Sequence, residues 1–196
     1  ISSSMICTYI ALDKEERKTV AQGKHEYLIE QVQVDENNNL FGDKNIRLSF
    51  NHPVKELIWV LQRDEAVRQG EFFNYTSKLN YNQGQTEHLL KEARLLLNGN
   101  EHTPWFDYLY YYFVQNFETH SNYAVHLFYM FSFALKPQIQ TPTGTCNFSR
   151  LDNPQLQIKV NQNYLNQSNR GQMRIYAIGY NVLRIQSGMA GLAFSN

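Results

Sequence analysis

The residues able to do chemistry in this chain are few and scattered. Six histidines, His25, His52, His88, His102, His120 and His126, are spread over 196 residues. A cupin-type metal centre would need a close His-x-His pair followed by Glu, and the sequence has none. Zinc requires Cys and His ligands at defined spacing, which the isolated Cys7 and Cys146 do not supply. Surface or hydrogen-bonded histidines are expected, with no metal and no cofactor. Cys146 with a histidine would formally make a nucleophile pair, but beside Asn147 and Phe148 a packing role is expected. Gly-rich phosphate loops and calcium-loop patterns are absent from the sequence. The expectation is that the chain is not an enzyme.

Other polar residues invite smaller roles. Asp13, Glu15 and Glu16 fit a helix start and its solvation rather than a catalytic pair. Three Asn-x-Ser/Thr triplets begin at Asn74, Asn147 and Asn166. Asn147 reads as structural. Asn74 and Asn166 fall in expected loops and are candidate glycan acceptors. Arg150 and Asp152 are spaced for a local ion pair, worth about 0–1 kcal/mol if exposed. Two cysteines are too few for a disulfide framework. Two reduced, buried thiols are expected, with a single bridge as the alternative.

The elements that must carry these residues are mostly strands. Met5–Leu12 is a strand candidate. Asp13 and Glu16 then spell a capping box before KEERKTVAQ, a polar helix broken by Gly23. Val32 and Val34 alternate with Gln31, Gln33 and Asp35 as a half-buried strand would. Glu36-Asn37-Asn38-Asn39 has the composition of a turn. Ile46, Leu48 and Phe50 alternate with polar residues. Leu57–Leu61 is apolar on both faces, as in a strand within a packed assembly or under a subunit contact.

The stretch from Gln62 to about Glu92, punctuated by Gly70, Asn74, Asn80, Asn82 and Gly84, reads as a long excursion. Ala93–Leu97 resumes a strand. Thr103-Pro104 predicts a helix over 104–113, with a strand at Tyr110–Phe113 as the alternative. Val125, Leu127, Tyr129, Phe131, Phe133 and Leu135 predict a strand, as do Leu156–Val160 and Arg174–Ile185.

Composition excludes some functions. The net charge is zero, the sequence pI is about 7.2 and charged residues are only 18%. A nucleic-acid-coating protein would be basic, so no direct nucleic-acid contact is expected. No apolar run reaches the roughly 18 residues that span a bilayer. The start, ISSSMICTY, lacks the pattern of a secretory signal and does not begin with Met, so a portion of a longer protein is expected. The 13 Tyr, 12 Phe and 2 Trp favour strands and contact surfaces. No internal repeat or low-complexity linker divides the chain, so one domain, 1–196, is expected.

Phe131–Asp152, FSFALKPQIQTPTGTCNFSRLD, is the most specific string. With HEYLIEQVQ (25–33), FNHPVKELIWVLQ (50–62), ARLLLNG (93–99) and YNVLRIQSGMAGLAFSN (180–196), it resembles the C-terminal jelly roll of major capsid proteins of nucleocytoplasmic large DNA viruses. The spelling departs from the commonest one at Gln138–Thr141 and Thr143. The resemblance implies an all-β, antiparallel jelly-roll β-sandwich with short helices in the loops, the second half of a double jelly roll.

It further implies a viral capsid protein and structural protein of the virion. It would act as a homotrimer, the pseudo-hexagonal capsomer, and be assembled in the host cytoplasm. The implied partners are other copies of the chain, neighbouring capsomers, minor capsid and penton proteins and, indirectly, an inner viral membrane. Trp59, Trp105, Pro137, Gly144, Cys146 and Arg150 are the structural or interface candidates. A carbohydrate- or receptor-binding jelly roll is the alternative, with Phe72, Phe73, Tyr75 and Tyr81 as its aromatic platform.

Overall fold

The computed structural model describes residues 3–79, 87–121 and 126–194. The readings placed on Asn80, Tyr81, Asn82, Gly84 and Val125 lie outside the described residues. The chain divides into two compact units, Glu30–Tyr180 and a smaller one made of Ile1–Ile29 with Asn181–Asn196.

Alternating segments build two sheets. The strands in chain order are β1 (Lys24–Leu40), β2 (Lys44–Arg47), β3 (Pro53–Arg63), β4 (Leu90–Leu97), β5 (Asn100–Glu101), β6 (Phe106–Asp107), β7 (Tyr129–Ser132), β8 (Cys146–Asn147), β9 (Gln155–Val160) and β10 (Gly171–Gln186). One sheet runs β1-β10-β3-β7 with β8 on the start of β3, and the other runs β2-β9-β4-β5 with β6 on β4. The pairs β10–β3, β3–β7, β2–β9 and β4–β9 are antiparallel.

Period-two alternation sends one side of each strand inward. Ile46 lies opposite Leu156, and Leu156 opposite Leu95. Met173, Ile175 and Ala177 lie opposite Leu61, Trp59 and Leu57. All these side chains are buried in one core. Two antiparallel sheets closed on a shared core make a jelly-roll sandwich.

β3 is buried on its other face too, at Glu56, Val60 and Gln62. The chain covers this face with its own loops. Gln62 Nε2 donates to the Glu71 and Phe72 carbonyls at 3.2 and 2.9 Å. The doubly apolar run therefore marks a strand roofed by its own chain.

Several expectations are corrected. Glu36–Asn39 is not a turn, because β1 runs on to Leu40; Asn39 reaches Arg170, just before β10, at 2.6 Å, so strand pairing overrides a weak turn composition. In the same strand Val32 and Val34 are exposed while Gln31, Gln33 and Asp35 are half-buried. The alternation was legible but the face was not. Gln33 holds the Asn51 backbone from both ends of its amide, at 2.6 and 2.9 Å, and so fixes which side turns inward.

The helix expected over 104–113 is displaced. Thr103 does not cap it: its buried hydroxyl accepts from the Leu95 N–H at 2.9 Å. Phe106–Asp107 is β6, and helical structure comprises a π turn at Tyr110–Val114 followed by an α-helix at Gln115–His120. The strand expected from Val125 to Leu135 is only β7. It ends because the Phe133 and Ala134 N–H groups both turn to the Lys55 carbonyl, which leaves Leu135 79% exposed.

In the smaller unit Met5–Leu12 forms no strand, and Cys7 is exposed rather than buried. α1 (Lys14–Gln22) has the capping box read from sequence, with the Glu16 N–H donating to Asp13 Oδ1 at 2.8 Å, and Gly23 ends it. The C-terminal part of β10 turns through Ser187-Gly188, at φ 52° and 77°, into β11 (Met189–Leu192). Two positive φ values in a two-residue loop match the twist of a hairpin.

Candidate functional site

The signature string is a loop stitched to β3. After β7, the Ser132 hydroxyl donates to the Ala134 carbonyl at 2.7 Å and accepts from the Ala134 N–H at 3.1 Å. The Lys136 N–H donates to Thr143 Oγ1 at 2.9 Å, closing the loop on itself. Gly144 lies at φ 145°, and a Cβ there would meet the Phe133 carbonyl oxygen at 2.8 Å. Only glycine fits this approach without strain.

β8 then pairs with β3, Cys146 opposite Val54 and Asn147 opposite Pro53. Asn147 Oδ1 accepts from the Ser149 N–H at 3.1 Å and caps a 3-10 turn at Phe148–Arg150. Ser149 Oγ accepts from the His52 N–H at 2.8 Å, and the Phe148 N–H donates to the His52 carbonyl at 3.1 Å. A positive φ of 66° at His52 bends the chain into this exchange.

Lys55 is the centre of the stitching. Its side chain is only 4% exposed, and its ammonium donates to Glu30 Oε1 at 2.6 Å and to the Pro137 carbonyl at 2.7 Å. The Tyr180 ring lies 5.8 Å from the ammonium. A buried charge is tolerated only when paired and hydrogen-bonded. Pro137, itself buried, is thus held by the strand below it.

The remaining candidates are dispersed. Trp59 is fully buried, its ring 5.2 Å from Tyr111 and 6.3 Å from Tyr129. Tyr111 donates to the Ala93 carbonyl at 3.0 Å and contacts Thr103 Oγ1 at 3.1 Å, and burial pushes its hydroxyl up to about 12. Trp105 is half-buried on the other sheet, with Lys159 and Arg94 at 4.2 and 4.8 Å from its ring. Cys146 is half-buried, and burial raises its thiol. Arg150 is exposed and forms no ion pair with Asp152 among the described residues. The Asp152 backbone is held instead by Asn98 and Arg47.

His88 packs against Tyr108, Tyr112 and Tyr129 and bonds the Tyr129 hydroxyl at 3.0 Å. Burial lowers it to about 4. Asn74 is buried, its amide donating to Glu71 and the Lys78 carbonyl and accepting from Thr76. Asn166 is half-exposed and organises its own turn through Ser168 and Asn169. Among the described residues no group of three metal-ligating side chains is present, and no helix is long and apolar enough to cross a membrane.

Sequence reasoning missed Lys55 and Glu30. The signal was available: Lys55-Glu56 interrupts an otherwise apolar strand, and charges in a doubly covered strand must find partners.

This geometry defines a jelly-roll sandwich with a braced loop. The family described as "Large eukaryotic DNA virus major capsid protein" matches residues 16–191. The chain is 34% identical to the major capsid protein of Pyramimonas orientalis virus, over all of this chain and 49% of that relative. It is 30% identical to that of Phaeocystis pouchetii virus, over all of this chain and 53% of that relative. The PBCV-1 virus capsid contains a chain of the same fold, with TM-score 0.76 and 30% identity over 94% of this chain and 55% of that one. The Faustovirus major capsid protein, 15% identical with TM-score 0.66, shares the fold. This chain belongs to the major capsid protein family of large eukaryotic DNA viruses. It spans about half the length of the relatives it matches.

Proposed function

We propose that the chain is the C-terminal jelly roll of a double jelly-roll capsid subunit, acting without catalysis as a building block of an icosahedral shell. The family match along residues 16–191 carries this reading, because it runs through both sheets and the braced loop. Three copies of the whole protein form a pseudo-hexagonal capsomer, which contacts neighbouring capsomers and minor capsid and penton proteins. Shell formation takes place in the host cytoplasm. Trp105, half-buried between two cations, has the residue type and setting of an interface anchor. Electron microscopy of the purified full-length product tests the proposal. Trimers of pseudo-sixfold outline are expected, and stable monomers would overturn it.

One observation supports a second role on the same virion surface. Phe72 and Phe73 are 60% and 83% exposed and line a cavity of about 370 Å³ with Tyr75, His126 and Leu127. An aromatic rim of this kind suits a carbohydrate or receptor. Glycan-array binding that is lost in Phe73→Ser would support the role, and no binding above background would remove it.

A further inference from the structure

Within eight residues the chain shows water four large apolar side chains. Met5, Ile6, Tyr9 and Ile10 are 86%, 97%, 89% and 83% exposed. Contiguous exposed apolar surface marks an interaction site.

The segment Met5–Leu12 has the composition and period of a strand. Ile6, Thr8, Ile10 and Leu12 fall on one face of an extended chain, and Met5, Cys7, Tyr9 and Ala11 on the other. Isoleucine, threonine and tyrosine favour pleated structure. Both faces are apolar apart from Thr8, as in a strand covered on two sides. Yet among the described residues no backbone N–H from Met5 to Leu12 donates a hydrogen bond. A strand is stable only within a sheet, and this segment has none beside it.

The segment has a defined end. The capping box at Asp13 starts α1 there, with the Asp13 N–H donating to Glu16 Oε2 at 3.4 Å. Leu12, 37% exposed, then lines a groove of about 390 Å³ along α1 with Thr19 and Val20. Val20 is 49% exposed. The uncovered apolar surface therefore continues from the segment onto the helix.

We infer that Met5–Leu12 is a donated strand: in the whole protein it adds to a sheet edge of the other jelly roll of the same polypeptide, and Leu12 and Val20 pack against that jelly roll. The inference rests on the double jelly-roll reading above and names one contact between the halves. The chain spans 53% and 49% of two relatives, so in them a body of about equal length accounts for the rest. A sheet edge offers the unpaired N–H and C=O groups that an added strand completes. A host on the same polypeptide is present at high effective concentration. Met5–Leu12 has as many residues as β4, and at about 3.3 Å per residue it matches the length of an ordinary strand.

Hydrogen exchange of the full-length protein, read by mass spectrometry, tests this. The Met5–Leu12 amides should exchange at least about 100-fold more slowly than those of a free peptide of the same sequence, because pairing must open before exchange. Free-peptide rates in a protein that still forms trimers overturn the inference alone. Protected amides in a protein that stays monomeric leave the pairing standing and overturn the capsomer reading. Cross-linking of trimers co-assembled from light and heavy subunits identifies the host. Links from the exposed Lys14 and Lys18 to the other jelly roll should join peptides of one isotope. Mixed-isotope links in their place would put the strand in a neighbouring copy and overturn the assignment.

Proline gives a second readout. Successive N–H groups of a strand point to opposite sides, and proline cannot donate to a ladder. Of Cys7→Pro and Thr8→Pro in the full-length protein, at least one should melt several degrees lower than the wild type. A solvated tail would tolerate both, and unchanged melting in both overturns the inference.

Discussion

Lys55 and Glu30 form an ion pair at 2.6 Å in which one partner is buried and the other is not: the Lys55 side chain is 4% exposed and that of Glu30 46%. The asymmetry makes the two deletions unequal. Removing Glu30 strands a buried ammonium, a loss of about 3 kcal/mol. Removing Lys55 leaves a carboxylate that water can reach and an orphaned Pro137 carbonyl, a loss of about 1–2 kcal/mol. Glu30→Ala should therefore destabilise more than Lys55→Met. Chemical denaturation of both variants decides, and the reverse order would refute the bracing role of the pair.

Trp59 sits at the centre of the core, between Tyr111 and Tyr129. Trp59→Ala should cost about 3–5 kcal/mol through lost burial and the cavity left behind. The indole Nε1–H has no hydrogen-bond partner, so Trp59→Phe breaks no hydrogen bond and should cost markedly less. Melting temperatures of both variants check this. An unchanged value in Trp59→Ala would remove Trp59 from the core.

The strands were legible where pattern and burial agree. Leu156–Val160 alternates in sequence and in the structure, because one face meets the core and the other meets water. The capping box at Asp13 was legible because its partners lie three residues apart. Long-range partners were not. Gln33 inverts the faces of β1 by gripping Asn51, and β7 is cut short by the Lys55 carbonyl. Neither event leaves a local signature. The string around Pro137 and Gly144 was recognisable as a string, but its physical reason, attachment to Lys55 and close approach to Phe133, emerges only once the sheet is assembled.

Gly144 tests that attachment. At φ 145°, with the Phe133 carbonyl oxygen 2.8 Å from where an alanine Cβ would stand, alanine is both strained and crowded. Gly144→Ala should destabilise by about 1–3 kcal/mol. The denaturant midpoint should fall with its slope unchanged. By contrast, a Cβ on Gly42 meets nothing within 4 Å, although its φ is also positive, at 66°. Gly42→Ala carries the backbone strain alone and should cost less than Gly144→Ala. Equal losses would show that contact with Phe133 does not matter.

His88 gives the chain an acid limit. Burial among Tyr108, Tyr112 and Tyr129 lowers it to about 4, against about 6.5 for a histidine in an unfolded chain. Between those values the unfolded chain takes up a proton that the folded chain refuses. Folding stability therefore falls as pH drops from about 6.5 toward 4, with no further loss from this group below that range. A neutral glutamine at this position has nothing to titrate and can still reach the Tyr129 hydroxyl. His88→Gln should accordingly flatten the acid side of the stability profile, whatever it costs at neutral pH. Unfolding midpoints measured from about pH 4 to 7 compare the two slopes, spanning both reference values. A variant that declines with acid as steeply as the wild type would place the acid sensitivity in other groups and leave His88 a solvated ring.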